Sequence, residues 1–173
     1  MSNTKPLLQT AFWALALVAT MAGTWYYAKG ELRTRDLEET LQPIASLLDE
    51  DRKILNDLKT EGLGDSDSVV LENYLARIRG DSVPKHAELK QRIDALVNNN
   101  TAIVTLLARY APRARTSAFR AGAETFRDYA SRFRDRWQSV FEIFMAGGHL
   151  PAAGPAFPTA FADALAAERA AAQ

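Results

Sequence analysis

The chain has 173 residues, 47% of them apolar, with 21 basic and 21 acidic side chains and a formal net charge of zero. That neutrality gives no general attraction to polyanions, and the absence of cysteine excludes disulfides, iron–sulfur clusters, thiolate zinc sites and cysteine nucleophiles. The zero averages two opposite halves: residues 31–81 carry 7 basic and 13 acidic residues, net −6, whereas residues 85–136 carry 11 and 5, net +6. Such halves suit helices folding back on one another, or two chains associating.

After a tail at 1–6, the 23 positions between Lys5 and Lys29 hold no charged residue. A helix crossing a hydrocarbon core needs about 20 mostly apolar residues, so 7–28 is read as a transmembrane anchor. Trp13 near one end, and Trp25, Tyr26 and Tyr27 at the other, are placed like the aromatic belts of a bilayer interface. Ala19 and Gly23 have the small-xxx-small spacing that lets membrane helices approach closely. A cleaved export signal is the competing reading, with Phe12 to Ala19 as its apolar run and Thr20-Met21-Ala22 before a cut.

A bundle domain is expected over 29–146. Leu37, Leu41, Ile44, Leu48, Leu55 and Leu58 make a heptad seam, with Asp51 at the skipped position. Pro43 predicts either a kink or a helix restarting with proline in its first turn. Residues 62–68 read as a loop, followed by a short helix over 69–79 with Leu71, Tyr74, Leu75 and Ile78 on one face, stopped by Gly80. Ser82 and Pro84 open the next helix. Its stripe is Leu89, Ile93, Leu96, Asn100, Ile103, Leu107 and Tyr110, six apolar side chains and one asparagine. The asparagine is expected to fix register or oligomer state by pairing with another polar group, while Asn98-Asn99-Asn100 as a run marks a local weakening or a π-bulge.

Pro112 breaks that pattern and predicts a tight turn into a long helix from about Arg113 to Ala146. There Phe119, Gly122, Phe126, Tyr129, Phe133, Trp137, Val140 and Phe144 form an aromatic stripe. Two long rods joined by a short turn must pack antiparallel. Residues 147–158 hold three glycines and three prolines and read as a linker. Thr159 is expected to cap an alanine-rich helix over 159–173, whose thin face of Phe161 and Leu165 is assigned to docking a partner. No strand-like alternation occurs, so the fold class is all-α: an N-terminal transmembrane helix, an antiparallel bundle of three to four helices, and a C-terminal helix on the linker.

Motifs for catalysis do not assemble. His86 and His149 lie apart with no ligand-spaced companions, and neither a phosphate loop nor a nucleophile elbow occurs. No cofactor, metal or enzymatic activity is expected. The arginines of the fourth predicted helix, from Arg113 to Arg136, lie off the aromatic stripe beside Glu124, Asp128 and Asp135, so ion pairing is preferred to nucleic-acid binding.

The expected function is protein–protein binding by a membrane-anchored accessory or scaffold subunit, with the bilayer and other subunits or a second copy as partners. Leu89, Ile93, Leu96, Asn100, Ile103 and Leu107 are assigned to helix packing. A ligand-sensing bundle that resembles, in layout alone, the extracytoplasmic input module of bacterial chemoreceptors is the alternative; a soluble exported protein after signal cleavage is the second. Lys29, Arg33 and Arg35 favour a cytoplasmic domain by charge count. The short N-terminal tail favours a signal-anchor, and the reading adopted is a bacterial-type inner membrane with the domain on the periplasmic side.

Overall fold

The leucine seam that begins at Leu37 survives one change of helical geometry. In the computed structural model, helix α1 (Lys5–Asp36) passes into a single π turn, Leu37–Leu41, and then into α2 (Gln42–Thr60). Within the turn the Gln42 amide donates to the Leu37 carbonyl, one residue wider than α-helical spacing. Pro43 follows at once, in the first turn of α2. Its missing amide and bulky ring would disturb a continuous α ladder, and the wide turn absorbs that disturbance. Of the two readings of Asn98-Asn99-Asn100, the π-bulge does not occur: α3 (Val83–Tyr110) is α-helical throughout.

The structure describes residues 5–60, 83–145 and 157–173, with side chains described for 17–60 except Lys59, 87–139 except Leu89, and 157–173. The loop and short helix expected over 62–79 lie outside these residues. So do His86's side chain, His149 and most of the 147–158 linker. The first part of the uncharged segment, including the Trp13 side chain, also lies outside the described side chains. Among the described residues there is no strand, and no helix is long and apolar enough to cross a membrane.

A 3-10 turn, Ala111–Arg113, carries Pro112 and joins α3 to α4 (Ser117–Met145). Helix α4 begins later than Arg113, because Thr116 caps it by accepting the Phe119 amide at 3.2 Å. Pro158 and Phe157 lead into α5 (Thr159–Ala172), where Thr159 makes no capping side-chain bond.

Helix directions follow from paired residues. Asp51 meets Asn99 while Thr40 lies beside Leu106 and Arg109, Asp94 meets Trp137 while Tyr110 meets Phe119, and Phe157 meets Tyr129 while Glu168 meets Thr116, so α2, α3, α4 and α5 alternate in direction. Leu41, Ile44, Leu48, Leu55 and Leu58 of the first seam, Ile93, Leu96, Ile103 and Leu107 of α3, and Phe119, Phe126 and Phe133 of α4 share one core.

The C-terminal helix corrects the sequence reading. It is the fourth wall of the bundle, because Phe161 is fully buried, Leu165 and Ala172 are buried, and Phe157 packs against Phe126 and Tyr129. Alanine makes this possible by allowing close approach. A Cβ built on Gly122 of α4 would stand only 3.3 Å from the Phe161 ring and 3.5 Å from the Ala164 Cβ, so the missing side chain on α4 and the small one at Ala164 leave room for the Phe161 ring between the helices.

Candidate functional site

Four elements converge at the end of the bundle from which α1 leaves. Tyr110 ends α3, Pro112 turns the chain, and Ala114 adopts an extended ψ of 138° that aims the next two amides inward. Those amides, of Arg115 and Thr116, stand at the start of α4, where backbone N–H groups lack intrahelical partners. Glu168 of α5 supplies the acceptors. Its Oε1 accepts from the Tyr110 hydroxyl at 2.7 Å and the Arg115 amide at 2.6 Å. Its Oε2 accepts from the Thr116 amide at 2.8 Å and the Thr116 hydroxyl at 2.7 Å.

Glu168 is fully buried. Burial alone would raise its carboxyl, but the Arg115 amide, Thr116 and Tyr110 donate enough to hold it below the ordinary carboxylate range. The positive end of the α4 dipole favours the same charge. Burial, and then the hydrogen bond to Glu168, push the Tyr110 hydroxyl well above its usual value. Arg115 also donates to the Tyr110 oxygen at 3.0 Å, and Asp36, at the end of α1, faces Arg113 at 3.4 Å and Arg115 at 3.7 Å. The acidic first segment is thereby tied to the basic second one. With four donors on two oxygens, Glu168 is a clasp whose acceptor capacity is spent within the chain.

A second buried acid lies mid-bundle. Asp51, almost fully buried on the α2 seam, accepts from the Asn99 side-chain amide at 2.9 Å. Burial pushes its carboxyl up to about 7, against the opposing Asn99 hydrogen bond. Asn100, expected to pair, is buried with an Oδ1 that has no partner, and its neighbour Asn99 makes the interhelical bond instead.

Two cavities border α1. One of about 320 Å³ lies beside Asp36, Thr40 and Arg109. Another, of about 500 Å³, is walled by Trp25, Tyr26, Lys29 and Arg33 on α1 and by Ala172 and Gln173 of α5.

The residues singled out from sequence divide sharply. Ile93, Leu96, Asn100, Ile103 and Leu107 lie inside the chain's own core, and Leu89 sits on α3 with a side chain outside the described ones. Phe161 and Leu165, assigned to a partner, are enclosed by this chain itself. Ala19, Gly23, Trp25, Tyr26 and Tyr27 are exposed on α1. Sequence reasoning passed over Glu168, although it stands three residues beyond Leu165 and seven beyond Phe161, on the apolar stripe of α5. An acid at an apolar position was the available signal, the same one Asp51 carries on its seam. Compared with known proteins, the chain matches no family model, no curated protein and no solved structure.

Proposed function

We propose that this protein is a helical bundle tethered to a bilayer by its first helix, acting by protein–protein binding as an accessory or scaffold subunit on the periplasmic side of a bacterial-type inner membrane. The observation that carries the tether is the condition of α1. All its described side chains from Leu17 to Leu32 are exposed or nearly so, and Leu17, Val18, Met21, Trp25, Tyr26, Tyr27 and Leu32 are each more than half exposed. At 100° per residue these side chains fall on every side of the helix. A helix apolar all round needs an apolar surrounding, and every other large apolar side chain described is at least partly covered by the bundle. Among the described residues no helix is long and apolar enough to cross a membrane; the proposed span is the uncharged segment 7–28. The clasp spends the acceptors of Glu168 within the chain and ties α5 to the α3–α4 corner, a structural part in the proposed binding module.

Alkaline extraction of native membranes, followed by intact-mass measurement and mild-detergent purification, tests this. The full-length chain should stay with the membrane and copurify in fixed stoichiometry with another membrane subunit. A chain released in soluble form and beginning near Ala22 would replace the tether with an export signal. A full-length chain that purifies alone would remove the accessory-subunit reading.

A further inference from the structure

The 500 Å³ notch between α1 and the end of α5 combines features that a structural role within the chain does not require. Trp25, Lys29 and Arg33 recur every four residues and so share one face of α1, with Tyr26 and Gly30 beside them. Lys29 lies over the Trp25 ring at 4.7 Å, and neither Lys29 nor Arg33 makes an ion pair among the described residues. Asp36, the nearest acid toward the bundle, is engaged by Arg113 and Arg115. Glu31 stands two residues from both cations, about 160° around the helix, and does not line the notch.

Gly30 forms the floor. Glycine inside a helix costs about 1 kcal/mol relative to alanine, yet a Cβ added at Gly30 would meet no protein atom within 4 Å. Internal packing therefore does not explain the missing side chain. The opening it leaves is bounded by two cations and two aromatic rings.

We propose that this notch binds the phosphodiester of an anionic phospholipid headgroup; the inference rests on the tether reading above. If the apolar span ends at Ala28, Lys29 and Arg33 lie roughly 1.5 and 7.5 Å farther along the helix axis. The polar layer on each side of a bilayer is about 5–8 Å deep. Both cations thus fall at phosphate depth, while Trp25 and Tyr26 reach the boundary where glycerol meets acyl chain. Ala172 and Gln173 close the notch on the bundle side, so a bound headgroup would set how the bundle stands on the membrane.

The test uses the full-length protein in nanodiscs of phosphatidylcholine doped with phosphatidylglycerol, with lipid retention read by native mass spectrometry. The wild type should retain phosphatidylglycerol in preference to phosphatidylcholine. Lys29→Gln and Arg33→Gln should each lower that preference roughly fivefold. Gly30→Leu keeps both charges and a good helix former but fills the notch, so it should also lose the preference. Insertion without lipid preference would overturn the headgroup site and leave the tether standing; failure to insert would overturn both. Preference that persists in Gly30→Leu would reduce the effect to diffuse attraction and overturn the notch. Glycerol phosphate held as well by the detergent-solubilised wild type, and lost in the variants, would assign the site to soluble phosphate esters instead of lipid.

Discussion

The Tyr110 hydroxyl donates to Glu168 at 2.7 Å, joining residues 58 apart and locking the last helix onto the corner between α3 and α4. Without Glu168 the corner would hold two part-buried amides, a part-buried hydroxyl and a buried phenol with no acceptor. Without the corner, α5 would carry a bare carboxylate into a core. Each half of the contact makes the other tolerable.

Glu168→Ala should therefore destabilise by about 2–4 kcal/mol, since one buried and three part-buried donors lose their acceptor. Tyr110→Phe removes two bonds, the one donated to Glu168 and the one accepted from Arg115, and should cost about 1–3 kcal/mol. Urea denaturation of the two single variants and the double variant should show non-additivity, because both act on one network. Simple additivity would mean that the clasp is not a unit.

Asp51 predicts an unusual pH dependence. Its folded value of about 7 lies above the unfolded carboxylate value of about 4, so the folded state binds the extra proton between those limits. Stability from this group is therefore full below about pH 4 and declines as pH rises to about 7. Asp51→Asn keeps the shape without the titration. It should raise the denaturation midpoint at pH 8 and flatten the profile from about pH 4 to 7. Glu168 acts in the opposite sense, contributing above its unfolded value near pH 4 and losing that contribution as acid protonates it. An unchanged profile in Asp51→Asn would contradict the buried-acid account.

Gly122 sets how closely α5 approaches α4. Gly122→Ala brings a Cβ to 3.3 Å from the Phe161 ring, a small clash offset by about 1 kcal/mol of helix propensity, so it should be near neutral. Gly122→Leu adds bulk that Phe161 and Ala164 cannot clear. Cleavage before α5 in limited proteolysis should accelerate in that variant and not in Gly122→Ala. Equal rates in wild type, Gly122→Ala and Gly122→Leu would show that the helices do not meet there.

Truncation after residue 146 should lower the thermal midpoint and expose Phe119, Phe126 and Tyr129 to a hydrophobic dye. Phe161→Ala alone should cost about 3–5 kcal/mol, the usual range for emptying a buried phenylalanine site. A truncated bundle of unchanged stability would return α5 to the role of a loosely docked arm.

Much of the architecture was legible because it is periodic. The spacing of Leu37 to Leu58, Ile93 to Tyr110 and Phe119 to Trp137 is a property of each helix alone, and a helix must bury such a stripe somewhere. Pro43 and Pro112 likewise act locally, so the breaks they impose could be placed near the observed turns. The partners were not legible. Glu168 looks like an unwelcome charge on α5 until the amides of Arg115 and Thr116 are brought against it across more than 50 residues. Asn100 looked like the pairing asparagine, yet the α2–α3 register gives Asp51 to Asn99. Phe161 and Leu165 alone are too few to bury a helix; Phe157, and the space that Gly122 and the alanines leave, complete the contact. Sequence by itself determined which faces are apolar, since that depends on helical period. Only tertiary structure decided what each face and each buried charge meets, because those contacts join residues whose proximity exists only in the packed bundle.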